Sequence, residues 1–225
     1  MEKGIGTYKE RTLHASLKKF IEPDMDKHEI KYKSFVCDIK NEKSIYEIQT
    51  RSFNTMRKKL EAFLKDDIVT IVYPSVRDKW LIWIDPESGE TTKKRKSGKK
   101  GSALQIFPEL YKIKFFLTHP NLRIKIIEVD VEEYRILNGW SKDKKKGSTR
   151  AERIPVGYGE IFDIECADDY KMFIPEQLES KFTSEMFSKA AKITLNRAQT
   201  AVHVLSYVGV IKLIGKDGRK NLYAN

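Results

Sequence analysis

The chain has 225 residues, 40% of them hydrophobic and 33% charged, enough apolar side chains for one large domain or two small ones. Its 43 Lys and Arg against 32 Asp and Glu leave a formal charge of +11, which predicts an anionic partner, nucleic acid before an anionic membrane. No apolar run approaches the roughly 18 residues of a membrane span, the N-terminal MEKGIGTYKERTLHASLKK lacks a signal-type apolar stretch, and Cys37 and Cys166 are too few for a disulfide framework or a zinc site, so a cytoplasmic protein is expected.

In chain order, Thr7 to Ile21 reads as a helix with Leu13, Leu17, Phe20 and Ile21 on one face. Three short strands follow, at 28–35, 36–40 and 44–50, with a hairpin turn at Asn41-Glu42-Lys43. A second amphipathic helix runs from about Ser52 to Leu64, its stripe formed by Phe53, Met56, Leu60 and Phe63. Strands are expected at 67–74 and 79–85, the first a near-continuous apolar run suited to burial on both faces. This order predicts an α/β fold around a mixed sheet flanked by helices. A Lys-rich loop, 91–101, precedes a helix over about 103–117 and a strand over 122–136. A second basic loop, 141–153, precedes one or two strands in 154–165. Trp80, Trp83 and Trp140 read as packing residues.

The tail reads differently. Thr183 or Ser184 can cap a helix to Ala191, Thr194 a longer one from Leu195 to about Val208, and Gly209 suits the position just past its end. Two short strands around Asp217-Gly218 complete the tail. Helix, turn, helix and hairpin is the order of a winged helix-turn-helix, and the segment resembles that fold. Phe187, Ala190 and Ala191 would pack on Ala198, Val202 and Leu205. Asn196, Arg197, Gln199, Thr200 and His203 then remain on the outer face, where such side chains read base edges. From Lys181 onward eight basic residues face two acids, a net +6, and Lys216, Arg219 and Lys220 of the wing suit phosphate contacts. The same fold also serves protein contacts, which leaves that reading open.

The first 50 residues hold the second constellation. Side chains alternate along a strand, so Glu47 and Gln49 share a face, and the hairpin brings Asp38 across from them. Glu10 lies in line with Leu13 and Leu17 on the inward face of the first helix. Carboxylates that converge repel one another unless a cation joins them, and a hard divalent ion with oxygen ligands is suited to the task. The bland alternative is two exposed charges on a solvated sheet face.

At these residues the sequence resembles the PD-(D/E)XK nuclease superfamily, over about residues 4–85. Its core runs helix, three-stranded hairpin, helix, strand, and its motif is matched by Asp38, Glu47, Ile48 and, in the Lys place, Gln49. An acid in the first helix, here Glu10, is common in the branch like Holliday-junction resolvases. The resemblance implies Mg²⁺ (or Mn²⁺) held by Asp38, Glu47 and the Ile48 carbonyl, with Glu10, Asp38, Glu47 and Gln49 as catalytic residues. The usual Lys orients the attacking water and supplies charge. Gln49 can orient but is neutral, and Arg51, Lys58 and Lys59 just downstream are candidates to replace the charge, the two lysines foremost if their helix caps the site. The whole chain also resembles an uncharacterised bacterial family that joins such a core to a winged helix.

These readings combine into residues 1–165 as a nuclease-like domain with basic loops and 166–225 as a small winged-helix domain. The expected function is metal-dependent cleavage of double-stranded DNA, with a homodimer expected as for many such cores and no membrane partner. Two rivals remain: a non-catalytic DNA-binding regulator on a degenerate nuclease fold, and an RNA-directed protein, since basic loops do not distinguish the two nucleic acids.

Overall fold

The structure is a computed structural model that describes residues 11–139 and 147–225. Glu10, Trp140 and the Lys-rich start of the second basic loop lie outside the described residues.

Helix α1 spans Arg11–Ile21, with Leu13 and Leu17 buried one turn apart. Phe20 departs from the expected stripe: it is 43% exposed and its ring stacks on Tyr158, with centroids 4.3 Å apart. Strands β1 (His28–Tyr32), β2 (Phe35–Lys40) and β3 (Ile45–Ile48) follow. Between the last two, the Asn41 side chain accepts from the Lys43 and Ser44 N–H groups, 3.0 and 3.1 Å away, and fixes the hairpin turn. Helix α2, Arg57–Phe63, is entered through a 3-10 turn at Phe53–Met56. The expected stripe of Phe53, Met56, Leu60 and Phe63 is buried throughout.

The two strands expected at 67–74 and 79–85 are one, β4 (Val69–Ile84). Pro74 and the charged Arg77-Asp78 pair suggest a break, but Asp130 removes it. Its carboxylate accepts from the Asp78 N–H at 3.1 Å and from Arg77 Nη2 at 2.6 Å, so charges that would end a strand in isolation are satisfied within it. Strand β5 (Arg95–Lys96) pairs antiparallel with β4. The helix expected over 103–117 is a short α3 (Phe107–Lys112) between two 3-10 turns, and Pro108 sits in its first turn, where no N–H is needed. Strands β6 (Leu122–Ile136) and β7 (Thr149–Ile164) come next. A 3-10 helix at Ala167–Phe173, strand β8 (Lys181–Phe182), helices α4 (Ser184–Ala190) and α5 (Leu195–Tyr207), and the hairpin β9 (Lys212–Asp217) and β10 (Lys220–Ala224) complete the chain.

The fold is α/β. One large sheet has the order β1-β2-β3-β4-β6-β7, with β5 alongside β4. It is mixed, because β2 and β3 run antiparallel while β3 and β4 run parallel. A separate small sheet has the order β8-β10-β9. Among the described residues no helix is long and apolar enough to cross a membrane.

Two compact units emerge. The first comprises Met1–His28, Pro74–Ser102 and Ile127–Ile161; the second comprises Glu29–Tyr73, Ala103–Ile126 and Phe162–Asn225. The second has a continuous core in which Phe53, Leu60 and Phe107 are buried along with Phe182, Phe187, Val202 and Leu205. Helix α5 is therefore apolar over a wider arc than its contact with α4 requires. Ala201 and Val204, beside the expected Ala198, Val202 and Leu205, are also fully buried, and α5 packs against α3 as well as α4.

In the first unit, Arg77 crosses the sheet surface to Asp130 over Gly159 of β7. A Cβ on Gly159 would run into the Arg77 guanidinium and come within 3.1 Å of Glu128 Cβ. Gly159→Ala is expected to lower the melting temperature by roughly 2–4 °C. In an Arg77→Ala background the same change should cost clearly less, which thermal denaturation of the three variants checks.

Candidate functional site

The site residues named from the motif lie on the β2–β3 hairpin and on α2, all within the second unit. Pairing of Ile39 with Tyr46 and of Lys40 with Ile45 sets the register, and one further step sets Asp38 against Glu47. In a regular ladder the Ile48 N–H would next go to a main-chain carbonyl of β2. Instead it donates to Asp38 Oδ2 at 2.7 Å. The carboxylate thus occupies the point where the strands part, and it holds the backbone between Glu47 and Gln49. The Gln49 N–H donates to the Val72 carbonyl at 2.9 Å, continuing the parallel ladder to β4. Its half-buried side chain makes no hydrogen bond with a described residue.

Glu47 is 1% exposed. Lys59 reaches it from α2, with Nζ 2.9 Å from Oε1 and 2.8 Å from Oε2. The same ammonium donates to the Val36 carbonyl at 2.7 Å. A buried carboxylate needs such a partner, since desolvation alone would neutralise it. Of the two lysines offered as charge replacements, Lys59 is thus at the motif, whereas Lys58 is exposed and forms no ion pair with a described residue. Glu10 lies outside the described residues. Among the described residues no group of three or more His, Cys, Asp or Glu could hold a metal ion.

Cys37 adjoins the site but is no nucleophile. It is fully buried, and desolvation, reinforced by the Glu47 charge, pushes its thiol up to about 11. Cys166 is exposed. At pH 8 the native chain should therefore react with one equivalent of a disulfide-type thiol reagent, at Cys166, and with the second only after unfolding. Equal rates at both thiols would contradict this.

The tail residues divide. Asn196 and Gln199 are exposed, Arg197 is half-buried, and Thr200 donates to the Asn196 carbonyl at 3.0 Å within α5. His203 is engaged with α3: its ring meets Tyr111 edge-on at 5.1 Å, and Nε2 lies 3.3 Å from Lys114 Nζ. Burial and the Lys114 charge hold its pKa below the ordinary value. Lys216 and Arg219 are exposed in the hairpin, and Lys220 pairs with Glu185 at 2.5 Å. Asp217-Gly218 makes the turn, with Gly218 at φ +58°.

In the first basic loop, Lys94 and Lys96 sit over the Trp80 ring, 5.0 and 5.3 Å from its centroid. They also pair with Glu132 and Asp78. Part of that loop's charge is thus spent within the fold. A cluster in the first unit that no sequence motif marks has the opposite balance. Glu133, 1% exposed, meets Arg135 and Arg153 at 2.8 Å each and Lys79 at 3.6 Å. Burial pushes its carboxyl up, but the charges of Arg153 and Lys79, with hydrogen bonds from both arginines, overcome this and hold it below the usual carboxylate range. Its members come from three different strands, so no local spacing advertises it.

The family model that matches covers residues 11–165, which include Asp38, Glu47, Gln49 and Lys59. The chain belongs to the family described as Domain of unknown function (DUF8091). Residues 166–225, with α4, α5 and the small sheet, lie beyond the matched DUF8091 segment. An uncharacterised protein of Treponema pallidum (strain Nichols) is 26% identical over 230 residues, an alignment spanning 97% of this chain and 86% of that protein. The likeness therefore extends through the tail. No solved structure matches the chain.

Proposed function

We propose that this protein is a DNA-binding, metal-dependent phosphodiesterase of the PD-(D/E)XK type, delivered to duplex DNA by a winged helix formed by α4, α5 and the β9–β10 hairpin. The observation that carries the reading is the Lys59 ammonium on both oxygens of buried Glu47, at the motif whose Lys place holds Gln49. Charge missing from one strand position is supplied from the neighbouring helix.

Asp38, Glu47 and the Ile48 carbonyl are hard oxygen donors, and Mg²⁺ or Mn²⁺ is held by as few as one or two carboxylates with the remaining positions left to water and phosphate. The donor set therefore fits. When bound, such an ion supplies an activated water and neutralises charge on the scissile phosphate. Asp38, through its bond to the Ile48 N–H, positions the carbonyl-bearing backbone. Lys59, seated on Glu47 and the Val36 carbonyl, supplies positive charge beside the attacked phosphate, and Gln49 orients the water. Arg197, Gln199 and Asn196 read or hold the duplex, helped by Lys216 and Arg219. The excess of cations around Glu133 supports phosphate contact on the first unit. A cytoplasmic location follows from this substrate.

The second reading, a non-catalytic DNA-binding regulator, is favoured by one feature. Lys59 already satisfies Glu47 with a protein cation, and an ion pair of that kind stabilises a fold without turnover.

Linear, circular, single-stranded and branched DNA incubated with Mg²⁺ or Mn²⁺ should be cut. Asp38→Ala and Lys59→Met should each lower the rate by about 100-fold or more, in the range for loss of an electrostatic catalytic group. No metal-dependent cutting, or cutting that survives Asp38→Ala, would remove the nuclease reading. For delivery, Arg197→Ala combined with Gln199→Ala should weaken duplex binding at physiological salt by roughly tenfold or more. Unchanged affinity would assign the tail to protein contacts instead.

A further inference from the structure

The second unit contains a cleft of about 360 Å³ lined by none of the proposed nuclease residues. Its lining includes Leu117, Ile124, Ile164 and Tyr170, all at least nine-tenths buried. Its rim carries His119 and Arg123, with Glu165 and Cys166 beside them. The size is within the range of small-molecule sites, which are mostly apolar with a few fixed polar groups.

Three hydrogen-bond donors there have no acceptor among the described residues. Tyr170 is 1% exposed, and its hydroxyl has no hydrogen-bond partner among the described residues. Burial holds that phenol protonated, so it remains a donor. Arg123 is oriented by its backbone surroundings: Nη1 donates to the carbonyls of Pro120, Leu122 and Glu165, at 2.6, 3.2 and 2.9 Å. Its Nη2 has no partner among the described residues. His119 Nδ1 accepts from the Asn121 N–H at 3.2 Å, which places the proton of the neutral ring on Nε2.

We propose that this cleft binds a small monocarboxylate with a compact aromatic or branched apolar body. The apolar wall takes the body, Arg123 and His119 hold the carboxylate at the rim, and Tyr170 donates to a polar atom further in. An inorganic anion would leave the wall uncovered. Glu165, whose carboxylate lies 4.0 Å from Arg123 Nε, opposes a second negative charge.

The test does not depend on DNA cleavage. The full ¹⁵N-labelled chain is titrated with phenylacetate, with uncharged phenylacetamide and with acetate. Phenylacetate should give saturable shifts in the amides of 117–124 and 164–170 and should slow alkylation of Cys166. The amide and acetate should bind about tenfold more weakly or worse, as expected for loss of a charge-assisted bond or of the buried body. Arg123→Gln should weaken phenylacetate binding by about tenfold. Tyr170→Phe should also weaken it without lowering the melting temperature, because it deletes an unpartnered hydroxyl, and this variant keeps the test decisive should Arg123→Gln fail to fold. Absent or non-saturable shifts, equal affinity for phenylacetamide, or binding unchanged in both variants would overturn the proposal.

Discussion

A carboxylate at 1% exposure stays ionised inside a protein only with a cation or several donors against it, and the geometry around Glu47 follows from that constraint. Lys59 meets it with a bidentate contact and spends its third donor on the Val36 carbonyl of β2. One ammonium thus ties α2 to two strands. Leu60 and Phe63 bury the rest of α2 in the core of the second unit, so the lysine is held at the motif by apolar packing one and four residues away. Asp38 does the complementary work on the backbone, taking the Ile48 N–H where β2 and β3 part.

The same economy appears in the first unit. Asp130 keeps Arg77 and Asp78 inside a continuous β4, and Glu133 gathers three cations from three strands. In each case a partly or fully buried acid decides where basic side chains point. The +11 of the chain is therefore not one uniform coat. Some of it is paired at the surface, as at Lys94 and Lys96, and some is left in excess, as around Glu133 and in the β9–β10 hairpin.

Much of the secondary structure was legible because its signals are local. The stripe Phe53, Met56, Leu60 and Phe63 marked α2, Thr183 or Ser184 marked the start of α4, where Thr183 is the cap, and Asp217-Gly218 marked the last turn. Errors fell where a distant partner overrides a local signal. Phe20 left its stripe because Tyr158 offers a ring, and β4 ran through Pro74 and Arg77-Asp78 because Asp130 satisfies the charges. The arc of α5 was underestimated, since nothing near Ala201 or Val204 in the chain announces that both are buried.

For the candidate site, the sequence by itself determined the chemical inventory: Asp38 and Glu47 on paired strands, neutral Gln49 two residues on, and two lysines on the following helix. Spacing could do that because strand alternation and hairpin register depend only on near neighbours. It could not choose between Lys58 and Lys59, nor see that Arg123, His119 and Tyr170 surround one cleft, because those facts depend on how elements separated in the chain rotate and pack. The opening charge excess named a class of partner; only the tertiary structure decided which charges are already paired, since pairing is a matter of distance and burial rather than composition.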